Sequence, residues 1–128
     1  MPIKYFPAPD IEQKAKEICE VAGINRDFSR IHFIRSRGSK SRGTLARCHA
    51  TPKAIQAGLS IKAHYVIEII SEHFDKLDDK ERTRTIIHEV LHIPEKMRGG
   101  FRHHDFVCRK NIDKIYSHYS EKKNSGSL

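Results

Sequence analysis

Apolar residues recur at helical spacing near the start of the chain, over residues 11–22. Asp10 stands just before this stretch and Gln13 follows three residues later, which is the arrangement of a capping box. Gly23 comes after the last apolar position, and glycine commonly ends a helix. We therefore predict a first helix over residues 11–22, with the proline-rich residues 1–9 forming an extended arm before it.

Two further helices are predicted in the second half of the chain. Asp78 and Glu81 form another capping box, so a helix should begin there and run over residues 79–92. It should end near that point because Pro94 disfavours helical geometry at the residue before it. A last helix is predicted over residues 105–121, with a buried stripe of four residues: Cys108, Ile112, Ile115 and Tyr119.

Two stretches have the composition of β-strands. Residues 28–35 place Ile31 and Phe33 on one face. Residues 65–70 read Tyr-Val-Ile-Glu-Ile-Ile and give the clearest strand prediction, because β-branched residues dominate them. The pattern fits two positions for this second strand: a sheet edge along which an extended peptide pairs, or an internal strand of the core.

The segment between these strands is rich in glycine, serine and basic residues. Residues 35–43 carry four Lys and Arg side chains, and we expect a flexible basic loop there. Residues 44–49 are predicted as the returning strand of a hairpin with residues 28–35, and residues 52–59 as an ambiguous short helix. Together the elements predict an α+β fold with a small, mostly antiparallel sheet of about three strands.

The length and composition are those of one globular domain. With 128 residues, 38% of them hydrophobic, we expect a single domain over residues 1–128, with residues 122–128 as a frayed tail. No apolar run approaches the roughly 18–20 residues that span a bilayer, which argues against a membrane protein. The first residues lack the apolar block of a signal peptide, so we expect a cytoplasmic protein.

The formal charge of +8 favours anionic partners. The basic loop over residues 35–43 is therefore a candidate for non-specific contact with nucleic acid, through Lys and Arg side chains on phosphates. The alternative is a solvated loop with no partner, which is what most charge runs are. The sequence has no aromatic RNA-binding signature or helix-turn-helix pattern.

The three cysteines do not form a recognisable framework. They are widely spaced and contain no CxxC pair, which excludes a zinc ribbon and argues against disulfides. Cys19 and Cys108 fall on apolar helix stripes and are predicted core residues. Cys48 lies beside His49, where strand packing is the preferred interpretation and a second metal site is the alternative.

The motif that carries chemistry is His-Glu-Val-Leu-His over residues 88–92, an HExxH sequence on a predicted helix. Positions i and i+4 lie one above the other on a helix face, so His88 and His92 can direct their imidazoles at one metal ion. Glu89 stands beside that face, where it reaches a metal-bound water without being a ligand.

A catalytic zinc site needs a third protein ligand and an open position. The turn at Gly99–Gly100 is followed by three candidates for this ligand: His103, His104 and Asp105. Glu95 is nearer in sequence, but it follows a proline that leaves its direction undefined. The residues alone leave these alternatives open.

Such a site predicts a zinc-dependent metallopeptidase acting on a protein or peptide. Zinc lowers the pKa of its bound water, and Glu89 as general base would take the proton as the water attacks a peptide carbonyl. Arg102 and Tyr116 are candidates for stabilising the oxyanion. The alternative function is a basic nucleic-acid-binding protein whose metal site is structural or vestigial.

The chain resembles the small metallopeptidases of archaea and phages, compact zincins related to the SprT-like group, in four segments: residues 65–70, 74–77, 87–94 and 99–104. The most specific are His-Glu-Val-Leu-His-Ile-Pro at residues 88–94 and Gly-Gly-Phe-Arg-His-His at residues 99–104, and the resemblance spans roughly residues 44–116. It implies a minimal zincin-like fold and a zinc ion held by His88, His92 and His104. The family commonly has proline at the place of His103, which keeps that histidine as an alternative third ligand.

Overall fold

The computed structural model describes residues 2–104 and 106–124. Within them the chain forms a four-stranded sheet with helices. The elements in chain order are β1 (Lys4–Pro7), α1 (Pro9–Ala22), β2 (Ile31–Arg37), β3 (Ala46–Ala50), α2 (Lys53–Leu59), β4 (Tyr65–Ile70), α3 (Ser71–Phe74), α4 (Asp79–Leu91) and α5 (Arg109–Asn124). A short 3-10 turn over Phe28–Arg30 precedes β2. The predicted α+β class is confirmed.

The strand order is β1-β2-β4-β3, with β4 parallel to β2 and antiparallel to β3. The prediction of about three strands is wrong: the arm over residues 1–9 contains β1, which pairs antiparallel with β2. The hairpin prediction is also wrong, because β4 lies between β2 and β3. The connecting segment crosses the end of β4, where the amide of Ile70 donates to the carbonyl of Leu45 at 3.0 Å.

The internal position of β4 follows from its side chains. Five of its six residues are buried, Glu68 among them, and they pack on both faces of the sheet. The interpretation of this strand as a sheet edge is therefore wrong, and its alternative as an internal strand is right. The edge beside it is β3, whose outer side is unpaired among the described residues.

Helix α1 begins two residues before its predicted start. Ala8 is the N-cap and makes no side-chain capping bond, so the predicted capping box at Asp10 does not form. Pro9 occupies the first turn, where its missing N–H costs nothing, and Asp10 complements the helix dipole from the same turn. The end of the helix is as predicted, with Gly23 in the left-handed conformation at a φ of 74°.

Helix α4 begins as the sequence predicts. The carboxylate of Asp78 caps the helix by accepting a bond from the amide of Glu81 at 2.9 Å. The last helical residue is Leu91, and His92 is the C-cap, still with right-handed helical dihedrals. The side chains of positions 88 and 92 therefore keep the one-turn relation that the motif requires.

Helix α5 starts later than predicted, at Arg109 instead of position 105, and ends at Asn124, so residues 122–124 of the predicted tail are helical and residues 125–128 lie outside the described residues. Asp105 lies outside the described residues. Ile112 and Tyr119 are buried as expected, but Cys108 precedes the helix and is only half-buried. The ambiguous segment 52–59 is helical as α2, and the short α3 has no counterpart among the predictions.

The core lies between one face of the sheet and helices α1, α4 and α5. It includes Ile18 of α1, Ile67 and Ile69 of β4, and Ile86 and Val90 of α4, each at most 1% exposed. This packing fixes α4 against the sheet at the level of β3. Within the described residues, no helix is long and apolar enough to cross a membrane.

Candidate metal centre

Helix α4 brings two histidines together at its C-terminal end. The Nε2 atoms of His88 and His92 lie 3.2 Å apart. Two nitrogens at about 2.0–2.1 Å from one tetrahedral zinc ion are separated by roughly 3.3 Å, so this spacing fits a shared ion. The apolar side of the same helix, with Val90 and Leu91 buried, holds the pair in place against the core.

Residues 99–104, which we call the return segment, fold back onto the end of α4. The amide of Arg102 donates to the carbonyl of His92 at 2.8 Å, and the Arg102 carbonyl lies 2.7 Å from His92 Nδ1. The second contact assigns the His92 proton to Nδ1, because a carbonyl only accepts. The Nε2 lone pair that faces His88 is therefore free for a metal ion.

This return brings His104 to the pair. Its ring centroid lies 4.9 Å from that of His92 and 5.6 Å from that of His88. One ligand atom of each of the three histidines lies within 4.8 Å of the others. Across residues 2–104 and 106–124, this is the one group of His, Cys, Asp or Glu side chains compact enough to hold a metal ion.

The other proposed third ligands are placed differently. His103 is exposed and lines the adjoining cavity, outside the compact group. Glu95 is exposed and also outside it. Asp105 cannot be compared, since it is not among the described residues. The geometry thus favours His104 over His103 and Glu95.

Tyr65 anchors the turn from which the return segment starts. Its side chain is fully buried, and its hydroxyl accepts a bond from the amide of Gly99 and donates to the carbonyl of Gly100, both at 2.9 Å. Gly99 has a φ of 104°, a conformation that residues with a side chain rarely adopt. The sequence marked the two glycines, but it gave no sign that a strand residue holds them.

Burial sets the protonation of the two acid–base groups on α4. It raises the pKa of Glu89 to about 7, because the carboxylate is 7% exposed and has lost most of its hydration. Burial, together with the two neighbouring imidazoles, lowers the pKa of His88 to about 4. His88 is therefore neutral near pH 7, which is the form that binds metal.

Two cavities flank these residues, and β3 borders both. The first, of about 280 Å³, lies between β3 and α5 and contains the side chains of His88 and Glu89 in its wall. The second, of about 490 Å³, is reached further along β3, at Arg47–His49, and is lined by Glu89, His92 and His104. Glu89 is thus accessible from both.

The two candidates for oxyanion stabilisation differ in position. Arg102 lines the second cavity, and its guanidinium lies 3.7 Å from the ring centroid of Phe106. Tyr116 lines neither cavity, and its ring lies 5.6 Å from the ammonium of Lys80. Arg102 is therefore the better placed of the two.

Cys48 lines the second cavity, but its thiol does not resemble a metal ligand. Burial raises its pKa to about 12, and the neighbouring Glu89 carboxylate acts in the same direction. His49 turns to the opposite face of the sheet, where its Nε2 lies 2.8 Å from the carboxylate of Glu68. The alternative of a second metal site at Cys48 and His49 has no geometric support.

Sequence reasoning missed the cluster around Glu68. This carboxylate is 3% exposed and accepts a bond from the hydroxyl of Ser36 at 2.6 Å, in addition to its contact with His49. Burial raises its pKa, but the Ser36 and His49 contacts outweigh that and leave the pKa below its usual value. The sequence feature that could have indicated this cluster is the single glutamate among the β-branched residues of β4.

The basic loop is partly neutralised by the protein itself. Arg35 belongs to β2 and forms two bonds to the carboxylate of Asp10, at 2.6 and 2.7 Å. Arg37 lies 3.9 Å from Asp75. Two of the four cations that suggested a nucleic-acid contact are therefore already paired, and nucleic-acid binding stays a prediction.

The fold and the site together define an α+β domain with a three-histidine group that can hold a metal ion. The chain belongs to a family described as putative phage metallopeptidase, whose model matches residues 3–120. No curated protein and no solved structure matches the chain. Membership implies a metal-dependent hydrolase acting on protein or peptide substrates.

Proposed function

We propose that this protein is a zinc-dependent metallopeptidase with His88, His92 and His104 as metal ligands and Glu89 as general base. The observation that carries the proposal is the convergence of three imidazoles within 4.8 Å, beside a buried carboxylate. Family membership supports the hydrolase class, and the arrangement of the residues supports the particular roles.

The donor set favours zinc among the divalent metals. Three imidazole nitrogens with room for a fourth ligand are typical of catalytic zinc sites, whereas hard cations prefer oxygen. The Arg102 carbonyl at His92 Nδ1 orients that ring, as hydrogen-bond partners of ligating histidines generally do. When bound, zinc supplies a Lewis acid and lowers the pKa of a coordinated water.

Glu89 is suited to move the proton of the attacking water. A carboxylate with a pKa of about 7 accepts a proton near neutral pH and releases it again with little cost. Its side chain lines both cavities, so a peptide bond that crosses from one to the other would pass close to it. Glu89 would pass the proton to the amine that leaves.

An extended substrate would bind along the edge strand β3. Its outer side has unpaired backbone groups within the described residues, and it borders both cavities. A peptide that adds to this edge pairs its backbone with β3 and passes the three histidines. This assigns to β3 the role that the sequence had suggested for β4.

The test is cleavage by the variant Glu89→Gln. We expect it to retain zinc and to lose peptide hydrolysis, because a carboxamide of the same size cannot accept the proton. Glu95→Gln is the matched control: it makes the same change at an exposed residue outside the metal group and should keep full activity. Activity of Glu89→Gln equal to wild type would remove Glu89 from the mechanism.

A further inference from the structure

A third cavity, of about 270 Å³, is lined by four cationic side chains: Arg30, Lys62, Lys96 and Arg98. The remaining lining residues, Gln56 among them, are uncharged, and no carboxylate lines it. We call it the cationic cavity. Four positive charges around one concave surface, without a negative charge in its wall, attract an anionic ligand.

Three of these charges are available to a ligand. Lys62, Lys96 and Arg98 are exposed and form no ion pair with any residue of the described ranges. Arg30 has a different part, because its guanidinium contacts Asp27 at 3.1 Å and donates to two backbone carbonyls. It holds the wall in place, whereas the other three are free to bind.

The cationic cavity lies near the C-terminal end of β3. Gln56 reaches from its wall to the carbonyl of Thr51 at 3.0 Å, just after β3 ends. Gly99 packs at the same place: a Cβ on it would lie 2.5 Å from the Gln56 amide and 3.3 Å from that carbonyl. Thr51 is three residues beyond Cys48, a distance of roughly 10 Å along an extended chain.

The charges along β3 are unequally distributed. The second cavity adds Arg102, and its one carboxylate is the buried Glu89; Arg47 also lines it, but its guanidinium lies 3.9 Å from the carboxylate of Glu68. In the first cavity the single arginine, Arg84, is neutralised by contacts with Glu81 and Asp113. A substrate along β3 therefore meets an arginine neutralised by carboxylates at one end, and Arg102 and the cationic cavity at the other.

We propose that the cationic cavity binds acidic side chains of the peptide substrate, which rests on the peptidase function proposed above. Strand β3 runs from the first cavity towards the second, so a peptide that pairs antiparallel with it has its N-terminal part at the Thr51 end. The acidic residues then precede the cleaved bond by about three to five positions.

The position of the cavity favours an acidic peptide over nucleic acid. Its cations surround one concave site near the C-terminal end of β3, and Lys40 and Arg42 of the basic loop, which form no ion pair with a described residue, precede the start of that strand. Phosphate chains need contacts repeated along their backbone. Nucleic-acid binding by the cationic cavity is the competing outcome of the test.

The first arm of the test measures binding to zinc-loaded Glu89→Gln, which does not depend on cleavage. The probes are a fluorescent peptide with four glutamates, the same peptide with glutamines, and a single-stranded DNA oligonucleotide. We expect the glutamate peptide to bind about fivefold or more tightly than the glutamine peptide, with the difference shrinking at high salt. Equal affinities would overturn the proposal.

Charge reversal locates the site. Lys62→Glu combined with Lys96→Glu should abolish the preference for the glutamate peptide, since both side chains are exposed and carry no structural contact in the described residues. Lys76→Glu is the control and should keep the preference, because Lys76 is exposed after α3 and forms no ion pair within residues 2–104 and 106–124. Loss of oligonucleotide affinity alone in the double variant would assign the cavity to nucleic acid instead.

The second arm digests a random peptide library with the zinc-loaded wild type and reads the cleavage sites by mass spectrometry. We expect Asp and Glu to be enriched three to five positions before the cut. Cleavage without this enrichment contradicts the acidic-substrate proposal and leaves the peptidase intact. No cleavage, with the binding preference retained, contradicts the peptidase function but supports acidic-peptide binding by the cationic cavity.

Discussion

The hydroxyl of Tyr65 connects the buried sheet to the segment that carries His104. The substitution Tyr65→Phe removes this oxygen while keeping the ring, which is fully buried. It breaks two bonds at once, one from the amide of Gly99 and one to the carbonyl of Gly100. The variant therefore separates the anchoring of the turn from the packing of the core.

The expected loss of stability follows from those two bonds. A typical hydrogen bond contributes about 0.5–1.5 kcal/mol, so the free energy of unfolding should fall by about 1–3 kcal/mol. The freed turn should also hold His104 less firmly. Loss of a residue that orients a ligand commonly weakens metal binding by about 10-fold to 100-fold, and we expect the lower end here because Tyr65 acts through the backbone.

Two assays measure the two effects. Urea unfolding of the metal-free protein gives the change in stability, and zinc competition with a chromophoric chelator gives the change in affinity. Ile69→Val is the matched control, because it removes one methylene from the same strand and should cost about 0.5–1.5 kcal/mol without weakening zinc binding. A Tyr65→Phe variant with lower stability but unchanged zinc affinity would refute the link between this anchor and His104.

Two further substitutions, at Gly99 and Glu68, test the backbone strain and the buried carboxylate described above. Gly99→Ala should lower the free energy of unfolding by about 1 kcal/mol or more, because φ is 104° and the new Cβ meets Gln56. The control Gly58→Ala, in open space on α2, should be neutral or stabilising by about 0.5–1 kcal/mol. Thermal unfolding compares the two variants, and equal shifts in melting temperature would contradict backbone strain at Gly99. Glu68 has a pKa below its ordinary value of 4.5, so its stabilisation is present above pH 4.5 and lost as pH falls through the lower folded-state value. Glu68→Gln should therefore flatten the loss of stability on the acid side in urea titrations, and an unchanged slope would exclude this carboxylate as a source.

Local patterns predicted the helices best. The cap at Asp78, the apolar repeat of α4 and the glycine stop of α1 each depend on contacts within a few residues, which the sequence displays directly. The start of α5 was misplaced because the apolar stripe extends back to Cys108, in a segment that is not helical.

The sheet was predicted less well because its order depends on contacts between distant segments. Residues 44–49 have the composition of a hairpin partner, but β4 takes the place beside β2, since its residues are the more apolar. Strand β1 was missed because prolines surround it and all of its residues are exposed. Such an edge strand is stabilised by pairing alone, which leaves no hydrophobic pattern to detect.

In the candidate site, too, local relations could be predicted and relations between distant segments could not. His88, Glu89 and His92 lie within one helical turn, so their relation could be predicted from spacing alone. The choice among His103, His104 and Asp105 could not, because it depends on how the return segment is bonded to the end of α4 and to Tyr65. The resemblance to a family, and not the spacing, selected His104.

The most direct test of the account compares His104→Ala with His103→Ala. These neighbours are both exposed, so each variant should fold, and only the first loses a proposed ligand. Zinc content after purification and dialysis is the measurement. We predict about one zinc per chain in wild type and His103→Ala, and a loss of most of it in His104→Ala. Full zinc retention by His104→Ala, or loss in His103→Ala instead, would contradict the three-histidine centre.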